Sequence, residues 1–329
     1  MIISLLSRSR STSRPALTAA AAAAAVVALA GCGSPEQQAS AAAPQSGESR
    51  TVTTMLGEVT VPATIDKVVV LEGRRDLDIA LSLGLPVTGV AAMQPGEMDL
   101  PAPIPAKLTA GAKELFLRGQ VNLEAIAAAA PDVIISRFSD VEPIRAELSA
   151  IAPVLVVGDQ DTSTWQDDLR LVAKATGRED RATELITAYD NRVAGLKKTY
   201  ADVLKDNTFA PMNYDLESDS TDTRAKRLLS TVMTDVGMKP SAAWTSSLDG
   251  TKAEYGPEQL KVGYGDADGI VAIVSEPKAW AQVQAKPLFK QLPAVAQGHV
   301  VRSDRRTHEG AALTADAALD VVEQLLKTF

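Results

Sequence analysis

The sequence predicts an α/β protein of two lobes, each a mostly parallel sheet flanked by helices, the two joined by one long rigid helix. Three observations carry this reading. Short, wholly apolar runs alternate with helical stretches, the pattern of strands buried on both faces of a parallel sheet. Midway, from Asp180 to Leu204, an uninterrupted helical stretch breaks that alternation. The halves on either side of it then echo each other in the order of their turn, helix and strand signals.

The elements follow in order. Lys67–Leu71 (KVVVL) is a β-branched strand, and Asp76–Leu83 a helix that Gly84 ends and Pro86 bars from resuming. Val87–Ala91 is the second strand. The Ala-rich helix Leu123–Ala130 precedes the strand Val133–Ile135, and a helix over Val141–Ile151 leads to the strand Val154–Val157. Trp165–Thr176 is a helix stopped by Gly177, with Trp165 and Tyr189 assigned to packing. The long helix follows, with Ala182, Leu185, Ile186, Tyr189, Val193, Leu196 and Val203 on one apolar stripe. At 1.5 Å per residue it would span roughly 37 Å, enough to bridge two lobes. Beyond Asp206 come the strand Phe209–Tyr214, the helix Lys226–Val236 closed by Gly237, the strands Gly269–Val274 and His299–Val301, and a last helix Ala315–Lys327. The echo is specific in two places. Gly84-Leu85-Pro86 corresponds to Gly237-Met238-Lys239-Pro240, and Asn122-Leu123-Glu124 leading to Val133-Ile134-Ile135 corresponds to Pro257-Glu258-Gln259-Leu260 leading to Gly269-Ile270-Val271. Residues 51–160 are therefore the first lobe, 161–206 a helical linker and 207–329 the second lobe.

Ahead of these lobes lies a different kind of chain. Arg8, Arg10 and Arg14 form a positive segment without acids, an apolar stretch from Pro15 to Ala30 is built around Ala19–Ala25, and it closes in Leu29-Ala30-Gly31-Cys32. This is the order of a secretory signal over residues 1–31, with too short an apolar core for a membrane span. Cys32 is the only cysteine, so no internal disulfide exists, and its setting resembles the acylation site of bacterial lipoproteins. Residues 32–50 hold no aromatic and no β-branched side chain, the composition of a flexible tether. The 298 residues after the signal carry 30 basic and 41 acidic side chains, a net of −11, which argues against nucleic acid as a partner.

Catalytic chemistry finds little support. There are two histidines, His299 and His308, no cluster with metal-ligand spacing, no phosphate loop and no nucleophile elbow. The arginines are more informative. Arg74 and Arg75 follow KVVVL, Arg137 follows a strand, Arg302, Arg305 and Arg306 follow another, and Arg118 precedes the helix start at Asn122. Loops beyond the carboxyl ends of parallel strands form the binding crevice of such sheets. Guanidinium groups gathered there suit an anionic or oxygen-rich ligand. Tyr214, Trp244 and Trp280, among few aromatics, lie near element ends of the second half.

The segments KVVVL…DLDIALSLGLPVTGVA, LRGQVNLEAIAAAAPDVIIS, DDLRLVAKATGREDRATELITAYDNRV and KPLFKQLPAVAQGHVV together resemble the siderophore- and cobalamin-type substrate-binding proteins of ABC importers. The resemblance covers nearly all of the chain after the tether. It implies a monomeric, non-enzymatic receptor outside the cytoplasm, anchored to the cell membrane through lipidated Cys32. Such a receptor delivers a ferric siderophore to an ABC permease and has no cofactor of its own, iron arriving only within the siderophore. Leu117-Arg118 is similar to the hydroxamate-siderophore binders, where this arginine faces the ligand, and Ala243-Trp244 matches a cleft tryptophan of that group. Arg305 and Arg306 stand where the family often has aromatics, which shifts the expected ligand towards an anionic carboxylate or catecholate complex. Glu124 and Glu258 match the pair of lobe glutamates that dock on permease arginines. A haem or cobalamin receptor, or an envelope sensor that keeps the fold, are the alternatives.

Overall fold

The computed structural model describes residues 48–93, 104, 111–159, 161–274, 276–304 and 307–329. The expected signal segment, Cys32 and most of the expected tether lie outside the described residues, as do Arg305 and Arg306. The described chain opens on a hairpin absent from the sequence reading, β1 (Ser49–Thr54) and β2 (Gly57–Pro62), paired antiparallel from Ser49↔Pro62 to Thr54↔Gly57. The ordered strand thus begins at Ser49, inside the stretch expected as tether. Alternation explains it: Val52 and Thr54 turn inward, and Gly57 takes the positive φ of 104° that the tight reversal needs.

The first lobe is a wholly parallel five-stranded sheet, order β5-β4-β3-β6-β7, from β3 (Val68–Val70), β4 (Val87–Ala92), β5 (Lys113–Leu117), β6 (Val133–Arg137) and β7 (Val154–Val157). Successive side chains go to opposite faces. Val68, Val70, Val133 and Ile135 join one core cluster, and Val69, Ile134 and Val154 another. Helices cover both faces, Arg75–Ser82 and Trp165–Thr176 on the first, Leu123–Ala129 and Arg145–Ile151 on the second. The helix expected over Val141–Ile151 is instead a short helix Phe138–Val141, a 3-10 turn Glu142–Ile144 and the helix Arg145–Ile151. Pro143, which has no N–H to donate, interrupts it.

The second lobe repeats the order with one change. Its path is β11-β9-β8-β12-β13, from β8 (Thr208–Asp215), β9 (Ser220–Thr223), β11 (Ala253–Tyr255), β12 (Gly269–Ile273) and β13 (Val300–Ser303), and a two-residue β10 (Lys239–Pro240) also pairs β8. Strands β10, β12 and β13 run parallel to their neighbours, but β9 and β11 are antiparallel. No crossover helix separates β8 from β9. The chain reverses in a tight turn where the Asp215 carboxylate accepts from the backbone N–H of Glu217 at 2.8 Å, which forces the antiparallel pairing.

Between the lobes runs the helix Glu179–Thr199, 21 residues and roughly 32 Å long. It is shorter than expected, because Tyr200 leaves helical geometry at φ −110° and a separate helix Ala201–Asp206 follows. Its buried stripe is Ala182, Ile186, Tyr189, Val193 and Leu196. Trp165 and Tyr189 meet edge to face at 5.2 Å, so both pack as expected. One apolar cluster joins this helix to Arg75–Ser82 and Trp165–Thr176 of the first lobe and to Leu228–Asp235 and Ala312–Leu326 of the second. Among the described residues, no helix is long and apolar enough to cross a membrane.

Candidate functional site

The site grows from the loop beyond β3. The buried Asp76 carboxylate accepts the backbone N–H groups of Leu71, Glu72, Gly73, Arg74 and Leu77 at 2.8–3.1 Å, and Gly73 takes a φ of 83° within that cradle. The loop is therefore held in one shape, presenting Glu72 and Arg74. Arg75 begins the following helix and turns the other way. It is buried, donating to Asp168 at 2.9 Å and to the Ser163 carbonyl at 3.3 Å. That contact ties the helix Arg75–Ser82 to Trp165–Thr176; Arg75 is thus placed as a packing ion pair inside the lobe.

Three of the expected arginines come together on Glu72. Arg118, just past β5, reaches Glu72 Oε1 through Nη2 at 2.7 Å and Nε at 3.1 Å. Arg137, the last residue of β6, approaches the same oxygen at 3.6 Å and Arg74 at 3.8 Å. A second carboxylate links the lobes. Glu309, from the segment before the C-terminal helix, meets Arg137 at 3.2 Å and Arg74 at 3.4 Å through Oε2, while Oε1 accepts from Arg227 at 2.6 Å. Arg137 also pairs with Asp140 at 3.0 Å. The four arginine side chains are 14–21% exposed, whereas that of Glu72 is only 1% exposed.

Burial sets the electrostatics. It pushes the Glu72 carboxyl up to about 7, helped by the Asp76 charge and opposed by Arg137 and Arg118. Burial alone would lower the Arg137 guanidinium, yet Glu72, Asp140 and Glu309 together hold it above its ordinary value. Burial draws Arg227 down despite Glu309. The neighbouring His308 is held neutral, pushed down to about 3 by burial and then by the Arg227 charge. The arrangement offers several forked donors to an anion while keeping its own carboxylates as partners.

The remaining candidates fall elsewhere. Trp244 is 1% exposed and lies in the core, a correction to the cleft position expected of it; a large indole beside the N-cap Ser241 finds more apolar contact inside than at the surface. Tyr214 is also buried, its hydroxyl donating to Asp219 at 2.7 Å, with Lys286 5.8 Å above its ring. Trp280 is half-buried against Phe289, with ring centres 5.7 Å apart. Arg302 donates to the Val274 carbonyl at 2.8 Å. Glu124 and Glu258 are both exposed, Glu124 in the first turn of Leu123–Ala129 and Glu258 in the turn Pro257–Gln259 that opens the helix Leu260–Tyr264. Sequence reasoning missed Glu72, Glu309 and Arg227. Glu72 carried one signal, an acid directly after a fully apolar strand; Glu309 and Arg227 read as ordinary surface charges. No group of three or more His, Cys, Asp or Glu suited to a metal ion occurs among the described residues.

Comparison with known proteins adds to this geometry. Residues 68–307 match the family model described as periplasmic binding protein. A protein of Bacillus subtilis named as a probable siderophore-binding lipoprotein is 32% identical over 181 residues, covering 52% of this chain and about half, 51%, of that relative. A Fe(3+)-citrate-binding protein of the same organism is 26% identical over 305 residues, 90% of this chain and 92% of its own length. In fold the chain is similar to Staphylococcus aureus SirA complexed with staphyloferrin B, with a TM-score of 0.68 at 22% identity over 84% of this chain and 97% of that one.

Proposed function

The chain belongs to the periplasmic binding protein family, and on that premise we propose that it is a receptor that binds an anionic ferric siderophore outside the cytoplasm and delivers it to an ABC permease. One observation carries the reading. Arg74, Arg118 and Arg137 from the carboxyl ends of the first sheet, with Arg227 of the second lobe, converge around Glu72 and Glu309 where the lobes meet. Carboxylate or catecholate oxygens of a ferric complex are chemically equivalent to these resident carboxylates, so the same guanidiniums would receive them. The names of the two relatives support this ligand class. Iron enters as cargo within the complex. Arg302, Arg305, Arg306 and the half-buried Trp280 are proposed as further ligand contacts. Cys32 is the proposed lipid anchor, the receptor acts as a monomer, and the exposed Glu124 and Glu258 are the proposed permease contacts.

Intrinsic fluorescence of the purified receptor, titrated with ferric hydroxamate, ferric catecholate, ferric citrate and a cobalamin or haem control, tests the proposal. An anionic ferric complex should bind best. A charge-assisted contact is worth about 1.5–3 kcal/mol, so Arg118→Ala should weaken binding about tenfold to a hundredfold. Tight cobalamin or haem binding without any ferric complex overturns the ligand class, and unchanged affinity in the variant removes Arg118 from the site.

A further inference from the structure

The two oxygens of Glu72 live in different surroundings. Oε1 receives three guanidiniums, whereas Oε2 is buried and has no hydrogen-bond partner among the described residues. An ionised carboxylate has about four acceptor sites, so a bare, desolvated anionic oxygen is a costly way to keep a full charge. A proton placed on Oε2 removes that charge and leaves every arginine contact on Oε1 in place. Asp76, beside it, differs: burial pushes its carboxyl up too, but five backbone N–H groups point at its oxygens and oppose that push, so neither oxygen is left bare.

Among the described residues, the charged groups facing Glu72 come from several elements. Arg74 lies in its own loop, Asp76 in the helix Arg75–Ser82, Arg118 beyond β5, Arg137 at the end of β6 with Asp140 behind it, and Glu309 before the C-terminal helix with Arg227 behind it. A ligand anion that engages Arg118 and its neighbours competes for the cations that stabilise ionised Glu72. It also brings a like charge close to it. Both changes favour the neutral carboxyl.

We infer that Glu72 is a proton-linked counter-ion of the ligand: when an anionic ferric complex takes over the arginines, Glu72 accepts one proton from solvent at Oε2, so binding consumes a proton. The only bond formed is the O–H bond at Oε2, and the proton is drawn from buffer or water. This rests on the anionic-ligand reading above. The position of the free carboxyl, pushed up to about 7, places the effect near neutrality. Below that pH Glu72 is already protonated and affinity is flat. Above it each binding event must take up the missing proton, and affinity falls as pH rises, by at most about tenfold per pH unit.

The test uses ferric citrate and a ferric tricatecholate in calorimetric titrations at pH 8, in two buffers of different ionisation enthalpy. Fluorescence titrations from pH 6 to 8.5 run alongside, on the wild type and on Glu72→Gln. The variant mimics the protonated side chain, and subtracting its behaviour cancels protons exchanged by the ligand. Wild type should take up about one proton more than the variant at pH 8. Its dissociation constant should rise with pH where that of the variant does not. Equal proton uptake and equal pH slopes overturn the inference while leaving the receptor reading intact; absence of binding by both complexes sinks the two together. Should the variant fail to fold, carbon-13 titration of the wild-type Glu72 carboxyl decides: an upward shift on adding ligand supports the proton link, and an unmoved titration ends it.

Discussion

Asp78 offers the sharpest test of how the lobes are joined. It lies in the helix Arg75–Ser82 of the first lobe, fully buried, yet its carboxylate caps the C-terminal helix Ala312–Leu326 of the second. Oδ2 accepts from the Ala311 N–H at 2.8 Å, the Thr314 N–H at 2.9 Å and the Thr314 hydroxyl at 2.6 Å. Oδ1 accepts from the Leu313 N–H at 3.0 Å and the Ser82 hydroxyl at 2.8 Å. An N-cap is worth about 0.5–2 kcal/mol, and a carboxylate at a partly buried helix start adds up to about 2 kcal/mol through the helix dipole. Asp78→Ala strips both and leaves three N–H donors unpaired, those of Ala311 and Thr314 buried and that of Leu313 half-buried, each buried one costing about 1–3 kcal/mol before relaxation. These terms overlap, so the expected loss is about 3–5 kcal/mol, a large share of an ordinary total of about 5–15. Asp78→Asn keeps the two contacts of Oδ1 but turns an amide towards three donors, and should cost about 2 kcal/mol or more. Urea unfolding followed by circular dichroism measures both. A loss below about 1 kcal/mol for the alanine variant would refute the claim that this carboxylate joins the lobes.

Two further outcomes test the outer parts of the proposal. Cys32→Ser should release the protein from the membrane fraction, checked by fractionation and immunoblotting; equal retention would rule out the lipid anchor. Reversing Glu124 and Glu258 together to Lys should abolish ferric-complex uptake in cells while ligand affinity stays within about twofold, since both are exposed and outside the arginine cluster. If affinity falls with uptake, these glutamates serve binding or folding instead.

Most parallel strands were legible because burial on both faces leaves a continuous apolar run, whereas the edge strand β5 (KELFL), with Lys113 and Glu114 exposed, was missed. KVVVL and VIIS are unmistakable for that reason, and Val154–Val157 and Trp165–Thr176 match their predicted bounds. The hairpin β1–β2 and the strands β9 and β11 were not. Their residues include Thr, Ser, Asp and Glu, half-exposed in β1 and β11 and buried at Thr221, Asp222 and Thr223 of β9, and what holds them is pairing with a neighbour rather than their own hydrophobicity. The helices Pro277–Ala285, Pro287–Lys290 and Pro293–Gln297 were missed although each opens on proline, a first-turn signal obscured by their short lengths.

At the site, the reach of sequence stops at direction. Arg74 and Arg75 are adjacent and follow the same strand, so strand-end logic treats them alike. One is the last non-helical residue before the helix and the other its first helical one, and that step turns their side chains apart: Arg74 to Glu72 and Glu309, Arg75 to Asp168. A count of arginines at strand ends therefore overstates the cationic face. It also hides the carboxylates that hold it together. Four guanidiniums without Glu72 and Glu309 would repel one another across the junction of two lobes, whereas with them each arginine is held and oriented before ligand arrives. On the proposed reading, an incoming anion would replace a partner instead of recruiting free side chains, so the ordering cost would be met in folding. The acids, ordinary in a chain of net charge −8, would then decide how much negative charge the ligand must bring.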